Sequence, residues 1–95
     1  MSVEELAAKY INSAEHVCRT LDFVQQLGTL QASDIRRVTE TAKTYLDDAK
    51  HFMGERRFEV SLTAVAYCEG LLDALRLLGA VRFEWPSTVE PERKR

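Results

Sequence analysis

The sequence predicts an all-α fold, an up-and-down three-helix bundle followed by a short extended C-terminal segment. Two stretches repeat apolar residues at alternating steps of three and four, which is the pattern of helices that pack along one seam. A third stretch, residues 58–79, is the longest apolar run and is apolar on two sides of a helix. Four Gly and two Pro among 95 residues leave little material for turns, which favours few, long elements.

Composition narrows the classes of function. The chain is 45% hydrophobic and 29% charged, as in an ordinary globular domain, and its length suffices for one modest core. The net charge of −2 comes without a basic stripe, so nucleic acid is not an expected partner. No apolar run approaches the roughly 18 residues of a membrane span. The N-terminus carries Glu4 and Glu5 where a signal peptide carries basic residues, so we expect a cytoplasmic protein without membrane contact.

Helix 1 is predicted over residues 2–27. Ser2 followed by Glu5 forms a capping-box pattern at its start. Gly28 is the expected stop, because glycine readily adopts the left-handed conformation that follows a last helical turn. The apolar seam of this helix contains Val3, Ala7, Tyr10, Ala14, Val17, Leu21 and Val24, widened by Leu6, Cys18 and Leu27.

Helix 2 is predicted over residues 33–53, with Ser33 or Asp34 as its cap and Gly54 at its end. The short connection through residues 55–57 indicates that helices 2 and 3 form an antiparallel hairpin. The expected seam of helix 2 contains Ile35, Val38, Ala42, Tyr45, Ala49 and Phe52.

Helix 3 is predicted over residues 56–78 and has two different apolar faces. The face of large residues, expected to form the bundle core, contains Phe58, Leu62, Val65, Cys68, Leu72 and Leu75. The opposite face contains Ala66, Gly70 and Ala74, with Leu77 beside them. Small residues four apart allow another helix backbone to approach closely, and a helix that is apolar on both sides is expected to be buried on both.

After Gly79 the pattern changes from a helical period to alternation. Val81, Phe83 and Trp85 alternate with polar or small residues, which predicts an extended segment over residues 80–86. A strand should find no partner within an all-helical domain 1–79, so we expect this segment to lie on the bundle or on a second chain. The polar residues 87–95 are predicted to be a disordered tail.

These patterns favour a non-enzymatic interaction or scaffolding module that self-associates into a homo-oligomer. The candidate interface contains Ala66, Gly70, Ala74, Leu77, Phe83 and Trp85. In the competing account, Phe83 and Trp85 cover the small-residue face within one chain. An unidentified protein partner is also compatible with the pattern. RNA binding through Arg36-Arg37, Arg56-Arg57 and the basic C-terminus is a further alternative.

An acidic set provides the alternative from a different class, a metal-dependent enzyme acting on nucleotides. Its residues are Asp47, Asp48, Glu69 and Asp73, and helical nucleotide pyrophosphatases hold Mg²⁺ with comparable clusters on two helices. This chain lacks the Glu-Glu-x-x-Glu segment of those enzymes and has Glu69-x-x-x-Asp73 in place of Glu-x-x-Asp. The structural alternative is that Arg76 neutralises Asp73. No metal or cofactor is predicted.

The two cysteines, Cys18 and Cys68, are expected to be reduced core residues, because an unpaired Cys packs as a small hydrophobe. In an up-down-up bundle, helices 1 and 3 run parallel. The two thiols are therefore expected to lie near one another.

Two segments carry a family resemblance. One contains Tyr45, Asp48-Ala49, Phe52 and Gly54. The other is Tyr67-x-Glu69-Gly70-Leu71-Leu72-Asp73-Ala74-Leu75-x-x-Leu78-Gly79. Over residues 40 to 85 the chain resembles an archaeal family of small helical proteins, domain of unknown function 357. The resemblance implies a three-helix bundle and an archaeal, cytoplasmic protein. It implies no activity and no catalytic residues.

Overall fold

A computed structural model describes residues 1–25 and 28–86. The elements follow in the order α1 Val3–Thr20, β1 Asp22–Phe23, α2 Ala32–Gly54, α3 Phe58–Leu77 and β2 Val81–Arg82. Helices α2 and α3 form the most extensive contact, and α1 packs against both. The predicted all-α three-helix bundle with a short extended C-terminal segment is confirmed. The predicted disorder of residues 87–95 concerns residues outside the described ranges.

Helix α1 begins as predicted and ends earlier. The capping box is present, with the Ser2 amide donating to Glu5 Oε1 at 2.9 Å and the Glu5 amide donating to Ser2 Oγ at 3.1 Å. The helix stops at Thr20, and Leu21 already has extended backbone angles. The predicted continuation to residue 27 is therefore wrong. Gly28 does have a positive φ of 64°, but it lies in the connection to α2 rather than at the end of α1.

The residues that follow the early end of α1 provide a partner strand for the C-terminal segment. Strand β1 pairs antiparallel with β2, with Asp22 opposite Arg82 and Phe23 opposite Val81. The amide of Val24 adds a hydrogen bond of 3.0 Å to the carbonyl of Ala80. The expectation that a strand would find no partner inside the domain was wrong. The pairing satisfies main-chain groups of a segment that is itself buried at Ala80 and Val81.

A glycine directs the chain from α3 into β2. Gly79 has φ 78°, a conformation that glycine adopts without strain. The Gly79 amide donates to the Arg76 carbonyl at 3.0 Å, and the Ala80 amide donates to the Leu75 carbonyl at 2.9 Å. This is the Schellman arrangement that closes a helix. It places Ala80 and Val81 against Ile35 of α2 and Leu75 of α3 in a second small core.

The ends of α2 differ from the expected ones. Gln31 occupies the N-cap position without a side-chain hydrogen bond, so the predicted caps Ser33 and Asp34 are inside the helix. Asp34 instead pairs with Arg37 at 3.3 Å. At the other end the helix includes Gly54, one residue beyond the predicted end at residue 53, and Arg56 takes the left-handed conformation with φ 60°.

In the main core, the central residues of the predicted large-residue face of α3 are buried as expected. The buried residues of α1 and α2 differ in part from the predicted seams. Val65, Cys68, Leu72 and Leu75 are buried, while Phe58 and Leu62 are half-buried. On α1, Ile11 is buried where Tyr10 was expected. On α2 the buried residues are Ile35, Thr39, Ala42, Leu46 and Ala49, and the expected Val38, Tyr45 and Phe52 are only half-buried.

One buried polar contact links the hairpin helices. The hydroxyl of Ser61, which is 0% exposed, donates to the carbonyl of Ala49 at 2.7 Å. No buried side-chain nitrogen or oxygen lacks a hydrogen-bond partner in the described part of the chain. This hydrogen bond fixes the position of α3 relative to α2 within an otherwise apolar interface.

Candidate functional site

The candidate site is the solvent-facing side of α3, which we call the outer face. Its residues are exposed and uncharged: Val60, Thr63, Ala66, Tyr67, Gly70, Ala74, Leu77 and Leu78. Among the exposed positions from residue 60 to residue 78, Arg76 alone carries a charge. Leu77 is 76% exposed and Leu78 is 63% exposed. The outer faces of α1 and α2, in contrast, are rich in charged residues, so α3 presents the unusual surface.

Gly70 lies at the middle of this face, in a position where the monomer gains nothing from glycine. A Cβ atom built on Gly70 would have no neighbour within 4 Å, and the backbone there is ordinary helix. Glycine in a helix interior costs about 1 kcal/mol relative to alanine. Neither packing nor backbone conformation within one chain accounts for this residue.

An apolar groove between α2 and α3, which we call the aromatic groove, borders the outer face. It has a volume of about 440 Å³ and is lined by Tyr45, Asp48, Phe52, Val60, Thr63, Ala64 and Tyr67. The Tyr45 and Tyr67 rings meet edge to face, with their centroids 4.5 Å apart. Val60, Thr63 and Tyr67 belong to both surfaces, so the groove and the outer face are continuous. Sequence reasoning missed the groove because it assigned Tyr45 and Phe52 to the buried seam.

The C-terminal segment lies elsewhere. Phe83 and Trp85 are half-buried against the main core, and their rings meet at 5.0 Å. Pro86 lies beside Asn12, Ser13 and His16 of α1. The segment therefore docks on its own bundle at the α1 side of α3. Of the candidate interface residues, Ala66, Gly70, Ala74 and Leu77 stay exposed together, and Phe83 and Trp85 are not part of that surface.

The four candidate carboxylates do not converge. Asp47 and Asp48 are exposed on α2, and Asp48 lies at the aromatic groove. Asp73 points to the other side of α3, where its Oδ1 accepts hydrogen bonds from Arg76 Nε at 3.0 Å and from Trp85 Nε1 at 3.1 Å. Within residues 1–25 and 28–86, no three His, Cys, Asp or Glu side chains form a group suited to a metal ion.

Asp73 and Glu69 have opposite electrostatic environments although they are one turn apart. The hydrogen bond from Arg76, with a second from Trp85, lowers the pKa of Asp73 below its ordinary value. Desolvation raises the pKa of Glu69 to about 7, and the nearby charge of Asp73 acts in the same direction. Asp73 therefore links the C-terminal segment to α3 through Trp85, and Glu69 remains a poorly solvated acid.

We expect the free energy of unfolding to fall between about pH 4.5 and 7 because of Glu69. Its native pKa lies above the unfolded value, so the unfolded chain releases this proton first and stability declines as pH rises. Asp73 acts in the opposite sense, because its contribution is present above pH 3.8 and is lost on further acidification.

Urea unfolding of the wild type and of Glu69→Gln at pH 5 and pH 8 tests this. The variant is expected to lose less stability across the interval than the wild type. Identical declines in the two proteins would show that Glu69 is solvated in the native state.

No helix in the described residues has the combination of length and apolar character that crossing a membrane requires.

Fold and site together define a small helical bundle whose distinguishing surface is the uncharged outer face of α3. A family model described as Protein of unknown function (DUF357) matches residues 9–81. The chain belongs to this family, and the match extends the resemblance seen in α2 and α3 to most of α1. No curated protein and no solved structure matches the chain.

Proposed function

We propose that this protein is an interaction module that self-associates through the outer face of α3. The observation that carries the proposal is Gly70, an exposed glycine in mid-helix with open space around it. A glycine at such a position lets the backbone of another helix approach closely, and Ala66 and Ala74 extend the same narrow ridge by one turn on each side. The approach of a second helix would give the glycine a role that the isolated bundle does not.

The order of residues around Gly70 supports a second copy of this chain as the partner. Thr63 and Leu77 lie seven residues to either side of Gly70, about 10 Å along the helix. In an antiparallel pair of α3 helices related by a twofold axis at Gly70, Ala66 meets Ala74 of the second copy, and Thr63 meets its Leu77. A twofold interface requires such self-complementarity, because the same patch of both copies forms it and every contact between two different residues occurs twice.

The aromatic groove supports the same arrangement. Leu77 and Leu78, at the C-terminal end of α3, are the most exposed large apolar residues of the outer face. They lie at the opposite end of that face from the groove at Val60, Thr63 and Tyr67. The antiparallel pairing directs the two leucines of one copy toward the groove of the other. Large projecting side chains then face an apolar depression at both ends of the interface, so the pairing removes from water the apolar surface that a single copy exposes.

Substituting Gly70→Arg tests the proposal. The monomer has room for the side chain, and a helix-interior glycine is replaced by a better helix former, so the variant is expected to fold at least as well as the wild type. The long charged side chain blocks close approach of a second helix. We expect the wild type to sediment as a dimer at tens of micromolar, and the variant to sediment as a monomer with an unchanged circular dichroism spectrum.

Thr44→Arg is the matched control, because Thr44 is exposed on α2 and lies on the side opposite its buried residues. This variant adds the same charge away from α3 and should remain dimeric. A wild type that is monomeric at tens of micromolar contradicts the proposal. So does a Gly70→Arg variant that still dimerises.

The proposal retains a cytoplasmic location and an archaeal origin as expectations. A metal-dependent nucleotide enzyme remains the alternative of a different class, although no observation favours it, because Asp48 and Asp73 lie on different sides of α3. Thermal unfolding with Mg²⁺ or Mn²⁺ and added nucleotides separates the two proposals. A rise in Tm that requires the metal would support the enzyme.

A further inference from the structure

The chain contains two cysteines, and the fold brings them together from different helices. Cys68 of α3 is 0% exposed in the main core, and Cys18 of α1 packs against the same core while remaining half-buried. Both side chains belong to one packed cluster between α1 and α3, and each thiol shifts the pKa of the other, which places the two side chains close together. The expected proximity of the two thiols is therefore confirmed, and the expectation that both are core residues holds fully for Cys68. Cys18 is therefore partly exposed to solvent, whereas Cys68 is fully buried.

The surroundings give the two thiols different roles. The hydrogen bond from Cys68 lowers the pKa of Cys18, and the ammonium groups of Lys43 and Lys50 act in the same direction. Desolvation and the carboxylate of Glu15, which pairs with Lys50 at 2.8 Å, oppose this shift. The hydrogen bond to Cys18 and burial raise the pKa of Cys68. A thiolate is the reactive form of cysteine, so Cys18 is the thiol poised to react.

We propose that Cys18 and Cys68 form a thiol–disulfide exchange site that a low-molecular-weight disulfide converts to an intramolecular disulfide between α1 and α3. Cys18 is the attacking thiol, because it is the one that solvent reaches. Cys68 is the resolving thiol, because it lies against Cys18 and is shielded from other reactants.

The exchange proceeds in two balanced steps. The Cys18 thiolate attacks one sulfur of the disulfide RSSR, the S–S bond of RSSR breaks, and RS⁻ leaves and takes a proton from water. The mixed disulfide removes the negative charge that held the Cys68 proton. Cys68 then releases that proton to water and attacks the Cys18 sulfur, and a second RS⁻ departs. The sum is the oxidation of two cysteine thiols and the reduction of one RSSR to two RSH.

Oxidised glutathione is the probe for this site, with products read by intact-protein mass spectrometry. The wild type is expected to lose two hydrogen atoms in mass without retaining glutathione. Cys68→Ser should retain one glutathionyl group, because the resolving thiol is missing. Cys18→Ser should stay unmodified, because the remaining thiol is buried. Cys68→Ala replaces Cys68→Ser if the serine variant fails to fold by circular dichroism.

A second measurement concerns the cross-link itself. Joining residues 18 and 68 restricts the unfolded chain, so oxidised wild type is expected to unfold at a Tm higher by on the order of 10 °C, and dithiothreitol should reverse the gain. A wild type that retains glutathione, remains reduced or forms an intermolecular disulfide would overturn the proposal. Modification of Cys18→Ser at the wild-type rate would equally overturn it.

Discussion

Substituting Val81→Asp is expected to destabilise the protein by about 3–5 kcal/mol, the range found when a charge is left buried without a partner. Val81 is 1% exposed and packs with Ile35, Leu75 and Ala80 at the end of the bundle. An aspartate there would lose its hydration and would find no basic partner in that apolar cluster. A domain of this length has a total stability of roughly 5–14 kcal/mol, so a large part of it would be lost.

Urea denaturation of Val81→Asp and of Glu84→Gln provides the comparison. Glu84 belongs to the same segment but is exposed, so its substitution should change the free energy of unfolding by less than about 0.5 kcal/mol. A Val81→Asp protein as stable as the control would mean that the segment after Gly79 is not part of the folded core.

The second large effect is expected from Leu72→Ala, which should lower the free energy of unfolding by about 2–5 kcal/mol. Leu72 is 0% exposed and is the largest fully buried side chain among the described residues. It belongs to the cluster in which all three helices meet, so the missing atoms leave a cavity that rigid neighbours on several sides cannot readily fill.

Leu77→Ala is the matched control for Leu72→Ala, because the same chemical change is made on the same helix at a side chain that is 76% exposed. Both substitutions are best measured in the Gly70→Arg background, so that self-association does not contribute. The control should change stability by less than about 0.5 kcal/mol. Equal effects at the two leucines would mean that the buried face of α3 has been assigned incorrectly.

Much of the fold could be predicted from local pattern. The capping box at Ser2, the turn after Gly54 and the large-residue face of α3 all depend on contacts within a few residues or on helical periodicity. The second, uncharged face of α3 could also be predicted from the sequence, because residues three and four apart lie on the same side of any helix. The structure adds that this face is exposed and that the C-terminal segment does not cover it.

The aromatic groove shows where periodicity fails. Steps of three and four place both Tyr45 and Leu46 near the seam of α2, and the pattern does not decide which of the two faces the core. Packing decides in favour of Leu46, which is 4% exposed, while Tyr45 turns aside to meet Tyr67. The helix is therefore rotated by a fraction of a turn from its predicted orientation, and this orientation leaves Tyr45 at the groove.

The sequence by itself determined three helices, their antiparallel hairpin and the uncharged side of α3, because each follows from the order of neighbouring residues. Only the tertiary structure decided where α1 ends. Residues 21–25 continue a helical seam in sequence, yet Asp22 and Phe23 pair with a strand on the far side of α2 and α3 in the chain, opposite Arg82 and Val81. The hydrogen bonds and the burial of Val81 that favour the strand exist only after the three helices have brought both segments together.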